Sequence, residues 1–235
     1  GELSQALSQP AGLLLFTGPA GSGKTTTIYA GLNQLRSWGG RHIITVEDPV
    51  ERILPGIMQT EISEARGLTF AAATRHLLRQ DPQVLALGEI RDDETAQLAV
   101  RAALTGHLVL STLHAGSCQG VLERLLTMCP DHCAVAASLR LIVNQRLLRR
   151  CCPVCQGAKC DTCVGTGFRG RVPVVESLSL SAGQRSQIRE RRLDTLQPAQ
   201  PLAAAARDLC AAGTTTAAEC LRVLGPEAAA SLSLP

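Results

Sequence analysis

Aromatic side chains are nearly missing from this chain of 235 residues, which has three Phe, one Trp and one Tyr. Proteins that grip single-stranded nucleic acid need aromatic faces on which bases stack, so that partner class is disfavoured. Lysine is scarcer still: Lys24 and Lys159 are the only two, and nearly all positive charge is arginine. Long apolar runs are lacking as well. The best stretch, around residues 134–143, is interrupted by Arg140 and falls short of the ~18 residues of a membrane span. No secretory signal opens the chain, and with Gly1 so close to the first apolar run it reads as a piece of something longer, with a domain upstream. Ten cysteines without a signal argue against a disulfide framework and for thiols in a reducing compartment. Cys118, Cys129, Cys133, Cys210 and Cys220 lie in apolar helical contexts and read as small buried hydrophobes, whereas Cys151 is ambiguous.

The length suits one main core and a small satellite. Net charge is only +3, but Arg140 to Arg192 holds eleven basic residues against three acids, leaving the remainder negative. That segment is either a solvated face or a docking surface for acidic lipid headgroups, an acidic protein or nucleic acid.

The most informative run is Gly18-Pro19-Ala20-Gly21-Ser22-Gly23-Lys24-Thr25, a full G-x-x-x-x-G-K-T phosphate loop directly after the apolar run 13–17. Its glycines let backbone N–H groups turn inward around a triphosphate, and the following helix offers the same anion its positive N-terminus. Lys24 would reach the β- and γ-phosphates, Thr25 would offer its hydroxyl to Mg²⁺, and Thr26 continues the nucleotide-binding stretch. Ile28, Leu32 and Leu35 follow at helical spacing, so strand, loop and helix come in the required order.

Four strand-sized apolar runs recur, at 12–17, 42–46, 84–87 and 108–112, each ending in a polar cluster. Such runs separated by helical segments predict a parallel sheet buried on both faces, with its chemistry at the carboxyl ends of the strands. Helices are expected at 70–79, capped by Thr69; at 94–104, capped by Asp93; at 119–128; and at 133–148. Past a cysteine- and glycine-rich stretch, a strand at 172–178 and a helix at 201–212 ended by Gly213 are expected. Thr216-x-x-Glu219 then reads as a capping box, and 226–235 as a frayed end. The expected divisions are 1–150 for the core, 151–171 for a four-cysteine lobe, and 172–235 for a strand and helices packed on the core.

Glu47 and Glu89 each follow an apolar strand, where one acid can anchor a magnesium water shell and another can orient attacking water. Either acid could instead merely cap a loop. His114, at the carboxyl end of the 108–112 strand, can donate to a phosphate oxygen; His107, at the amino end, is harder to place there. Cys152-x2-Cys155 and Cys160-x2-Cys163 form two thiolate pairs of the kind that close a tetrahedral structural zinc site, with iron as the chemical alternative.

Taken together, Gly18 to Thr27, Thr45 to Glu51, Leu78 to Pro82 with Gly88 to Asp92, and Ala103 to His107 with Ser111 to His114 resemble the type II secretion and type IV pilus assembly ATPases. They match that family's Walker A, Asp box, Walker B and His box in order. The resemblance continues through Gln145-Arg146-Leu147 and the cysteine pairs to 213–215. It implies a RecA-like P-loop NTPase core with a mostly parallel sheet, a small four-cysteine metal lobe and a helical tail. By motif, Glu47 is the catalytic base, Glu89 the magnesium-site acid and His114 a γ-phosphate contact, while Arg75 and Arg79 assist across an interface.

The implied cofactors are ATP, Mg²⁺ and Zn²⁺. The implied assembly is a homo-hexamer, cytoplasmic and peripheral to the inner membrane, where it drives pilus or pseudopilus assembly through an inner-membrane platform protein. An acidic phospholipid surface is a further candidate partner. The four-cysteine element favours assembly over retraction, although its spacer is short for the family. One departure stands out: relatives continue the His box with Thr-Asn-Asp-Ala, and here Ala115-Gly116-Ser117-Cys118 follows, which puts its support in question. The rival readings are a RecA-like nucleic-acid motor and a catalytically weakened ATP-binding scaffold.

Overall fold

A computed structural model describes residues 1–63, 65 and 67–226. Its strands are β1 (Gly12–Thr17), β2 (Ile43–Glu47), β3 (Met58–Glu61), β4 (Val84–Leu87), β5 (Leu108–Thr112), β6 (Leu139–Cys151) and β7 (Phe168–Ser179). They form one sheet in the order β3-β2-β4-β5-β1-β6-β7, parallel throughout except that β7 runs antiparallel to β6. Every residue of β1, β2, β4 and β5 is buried, as continuous apolar runs require when helices cover both faces.

Alternation along β1 shows the two layers. Leu13 and Leu15 pack with α3 (Phe70–Leu77), α4 (Asp93–Leu104), α5 (Cys118–Met128) and α6 (His132–Ser138), whereas Leu14 and Phe16 pack with α1 (Glu2–Leu7) and α2 (Lys24–Trp38). The remaining helices are α7 (Ala182–Arg189), α8 (Leu202–Ala211) and α9 (Ala217–Leu224). Among the described residues no helix is long and apolar enough to cross a membrane.

Several expectations need correction. The predicted helix over 133–148 is instead the short α6 followed by the long strand β6. Leu139 to Asn144 pair in parallel with β1, and Leu141 to Cys151 pair with β7. An apolar stretch of this length suits either period; the open edge of β1 and the returning β7 decide for the strand. Asp92, not Asp93, caps α4, accepting from Thr95 N at 2.7 Å. β3 and α7 escape sequence reading because one has no apolar run and the other is mostly polar, although Ser181 and Gln184 form a complete capping box on α7. Cys133 is exposed and Cys210 half-buried, unlike the other three cysteines read as buried. Most of the frayed end expected at 226–235 lies outside the described residues.

Only half of the expected box at Thr216 forms. Thr216 accepts from Glu219 N, but the Glu219 carboxylate turns to Arg149 and Arg222. The Glu219 side chain is fully buried. Burial alone would raise its pKa, but the bonds from Arg222 and Arg149 outweigh burial and hold it at about 2 against an ordinary 4.5. Because the folded value is depressed, this bond set stabilises the α9–β6 contact above about pH 4.5, and the benefit is lost as pH falls toward 2. Arg149 also stacks on Phe168, its guanidinium carbon 4.2 Å from the ring centroid, so this arginine serves the fold.

Candidate active site

The phosphate loop leaves β1 at Thr17 and enters α2 at Lys24. Gly18 and Gly23 have φ of 140° and 88°, the region that favours glycine. Space excludes a side chain too: a Cβ on Gly18 would meet Gln145 O at 2.3 Å, and one on Gly23 would meet Gln145 Nε2 at 2.9 Å. Gln145 belongs to β6 and staples the loop from both sides, donating to Ser22 O at 2.7 Å and accepting from Thr27 Oγ1 at 2.8 Å. Lys24 folds over the loop, its Nζ donating to Gly18 O at 2.8 Å and Pro19 O at 3.1 Å. Burial lowers the Lys24 pKa; the Glu89 charge opposes this, and Arg146 adds to the lowering.

The loop fits an anion on two grounds. No side chain caps α2 and no acid stands in its first turn, so its N–H groups keep their anion-binding capacity. Ser22 Oγ is buried without a hydrogen-bond partner. Pro19, Ala20, Gly21 and Thr26 are exposed along the loop rim, and Gly23, Thr26, Thr27, Val143 and Gln145 border a groove of about 1120 Å³ beside it.

The strand-tip acids sit in contrasting settings. Glu47 is buried and accepts from the Tyr29 hydroxyl, from Thr45 Oγ1, and from Gln59 Nε2 at 2.9 Å. Glu89 lies just past β4, hydrogen-bonded by Arg91, with one oxygen 3.2 Å from His114 Nε2. Burial works to raise the Glu89 pKa, but Arg91 and then His114 outweigh it and the net shift is downward. Arg91 also lies 3.5 Å from Asp48.

Lys24, Glu89 and His114 are thus brought together. His107 is not: its ring Nδ1 lies 2.9 Å from Ala102 O at the far end of β5. Arg75 pairs with Glu94 on α4, and Arg79 is exposed. The altered segment after His114 is well supported. Ala115 N donates to Thr17 Oγ1, Gly116 O accepts from Asn144 and Arg146, and Ser117 caps α5.

Sequence reading overlooked Tyr29, Thr45 and Gln59. The one available signal was Tyr29 itself, the chain's single tyrosine, four residues after Thr25 on the same helix.

The four cysteines sit at the far tip of the β6–β7 ribbon. Cys152 and Cys160 Sγ are 3.9 Å apart, Cys155 and Cys163 3.8 Å, Cys160 and Cys163 3.8 Å, and all four lie within 4.8 Å of one another. A tetrahedron with metal–sulfur bonds of about 2.3 Å has edges of about 3.8 Å, so this donor set fits zinc. Cys163 Sγ also lies within 3.3 Å of the Cys160 N–H and 3.2 Å of the Gly167 N–H, donors that favour a thiolate.

A buried parallel sheet with a phosphate loop at the tip of its first strand and acids at the tips of neighbouring strands defines a P-loop nucleotide-binding fold. Residues 1–223 match the family described as Type II/IV secretion system protein, and the chain belongs to that family. It is 41% identical over 236 residues to the type II secretion system protein HxcR of Pseudomonas aeruginosa, covering 94% of this chain and 50% of the relative. To the type IV pilus assembly ATPase PilB of Myxococcus xanthus it is 42% identical over 212 residues, covering 78% of this chain and 37% of the relative. The pilus retraction motor PilT with bound ADP superposes with a TM-score of 0.71 at 30% identity, over 98% of this chain and 64% of that one. The chain therefore spans about half or less of the curated relatives cited.

Proposed function

We propose that this chain is the motor portion of an ATPase that powers assembly of a type IV pilus or a type II secretion pseudopilus. The observation that carries the reading is the uncapped N-terminus of α2, with the orphaned Ser22 Oγ and Lys24 beside it and Glu89 within electrostatic reach of Lys24. Residues 18–26 would bind the triphosphate, with Lys24 leaving its loop carbonyls for the β- and γ-phosphate oxygens. Thr25 and Glu89 would hold Mg²⁺, which when bound supplies charge neutralisation at the phosphates. Glu47 would accept a proton from the attacking water, and His114, held toward Glu89, would donate to the γ-phosphate.

Lys24→Ala should weaken nucleotide binding about 10- to 100-fold, the loss expected for a charge-assisted hydrogen bond, whereas Glu89→Gln should mainly suppress turnover. Nucleotide titration and phosphate release separate the two effects. Full hydrolysis by both variants would remove this pocket from the mechanism.

On the resemblance of its motifs to the secretion and pilus assembly ATPases, we further propose a homo-hexamer, cytoplasmic and peripheral to the inner membrane, acting on a membrane platform protein. Arg150, Arg169 and Arg171 are exposed beside the cysteine lobe, which with them would form the docking face for that protein or for acidic phospholipid. Reversing Arg150 and Arg171 should weaken co-sedimentation with platform protein or anionic vesicles in a salt-sensitive way. Unchanged retention at low salt returns the segment to an ordinary solvated face. Arg149 is omitted because its bonds to Glu219 serve the fold.

A further inference from the structure

Glu47 ends β2, and its carboxylate offers about four accepting positions. Three are filled from three different elements: Oε2 by the Tyr29 hydroxyl of α2, and Oε1 by Thr45 Oγ1 of β2 and Gln59 Nε2 of β3. The fourth therefore belongs to Oε2, the oxygen that Tyr29 holds. Alongside lies a cavity of about 40 Å³ bordered by Thr25, Tyr29, Glu47, Gly88 and Thr112, with room for a water.

We propose that Tyr29 is a positioning residue for Glu47, fixing the carboxylate so that the open side of Oε2 faces the cavity at Thr25. The proposal rests on the reading of Glu47 as the base of ATP hydrolysis. A phenol suits the task because the ring is rigid and the bond to a carboxylate is charge-assisted. The ring is itself held: Tyr29 is buried, and the Arg52 guanidinium carbon lies 5.6 Å from its centroid. Tyr29 also sits one turn after Thr25 on α2, so the helix that presents the phosphate loop carries the anchor for the base as well.

Two readouts test this in the full chain. Because Tyr29 is the only tyrosine, ¹³Cζ labelling gives one phenol resonance. Burial, followed by the bond to Glu47, pushes that phenol up to about 12; the Arg52 backbone opposes the rise and the Glu51 charge adds to it, and the Arg52 guanidinium faces the ring. Glu47→Gln should shift the resonance and lower its titration midpoint. In phosphate release, Tyr29→Phe should lower kcat about tenfold with KM unchanged, consistent with one lost charge-assisted hydrogen bond. The same change in a Glu47→Gln background should have no further effect.

An additive loss in both backgrounds, or a parental rate in Tyr29→Phe, overturns the positioning role and leaves the hydrolysis reading standing. No phosphate release by the parent chain overturns the hydrolysis reading and the role together. If Tyr29→Phe does not fold, the resonance decides, and an unmoved signal in Glu47→Gln overturns the contact.

Discussion

Replacing Glu47 with Gln is expected to lower phosphate release by about 10²- to 10⁴-fold, the usual worth of general-base help, while nucleotide binding stays nearly intact. The structure makes this substitution informative. Glu47 is buried, so an apolar replacement would strand the Tyr29, Thr45 and Gln59 donors. Gln keeps the shape, and the Tyr29 and Thr45 hydroxyls can rotate to accept from its amide. What it removes is the carboxylate's ability to take a proton. Lys24 and the first turn of α2 are untouched, so binding should survive. Nucleotide titration alongside single-turnover phosphate release provides the comparison; a rate near the parent's would leave Glu47 as a loop acid held for structural reasons.

The second large effect concerns the cysteine lobe. Cys152, Cys155, Cys160 and Cys163 should hold one zinc per chain, and its removal should unfold residues 151–171 ahead of the core. Apparent zinc-binding energies of about 10 to 16 kcal/mol rival the about 5 to 15 kcal/mol that stabilise whole domains. Between the ends of β6 and β7 the lobe has little apolar burial of its own. Val154 and Val164 point to solvent at 65% and 85% exposure, and only Cys152 and Cys163 of the four ligands are buried. The sheet core contains none of these thiols, so chelated protein should still bind ATP. Elemental analysis and thiol counting check the ligands, and hydrogen exchange over 151–171 before and after chelation checks the unfolding. Four freely reactive thiols in a metal-free lobe that remains protected would defeat the zinc assignment.

How much of this was legible in the chain depends on distance along it. The phosphate loop, the four buried strands and the cysteine pairs each occupy a short contiguous stretch whose chemistry is set by local spacing. Gly18 to Thr25 reads as an anion cradle because backbone N–H groups and a helix start lie within eight residues of one another. Cys152 to Cys163 reads as a metal site for the same reason, and the Sγ separations near 3.8 Å agree with it.

Contacts between distant segments were not legible. Gln145 staples the phosphate loop from β6, 123 residues beyond Ser22, and nothing in its own neighbourhood announces that use. Residues 139–148 satisfy helical and strand patterns alike, and only the open edge of β1 and the returning β7 selected the strand. Arg149 counted toward a basic docking surface until the approach of α9 gave it Glu219. Glu47 could be named from its place after a strand, but two of its three donors, Tyr29 and Gln59, come from elements that become its neighbours only when β2 pairs with β3 and packs against α2. The sequence by itself determined the phosphate loop, the acids at the strand tips and the thiolate pairs, because each needs only neighbours along the chain. The order of the sheet decided which side chains orient them, because hydrogen bonds between segments far apart in sequence exist only once the strands have chosen their partners.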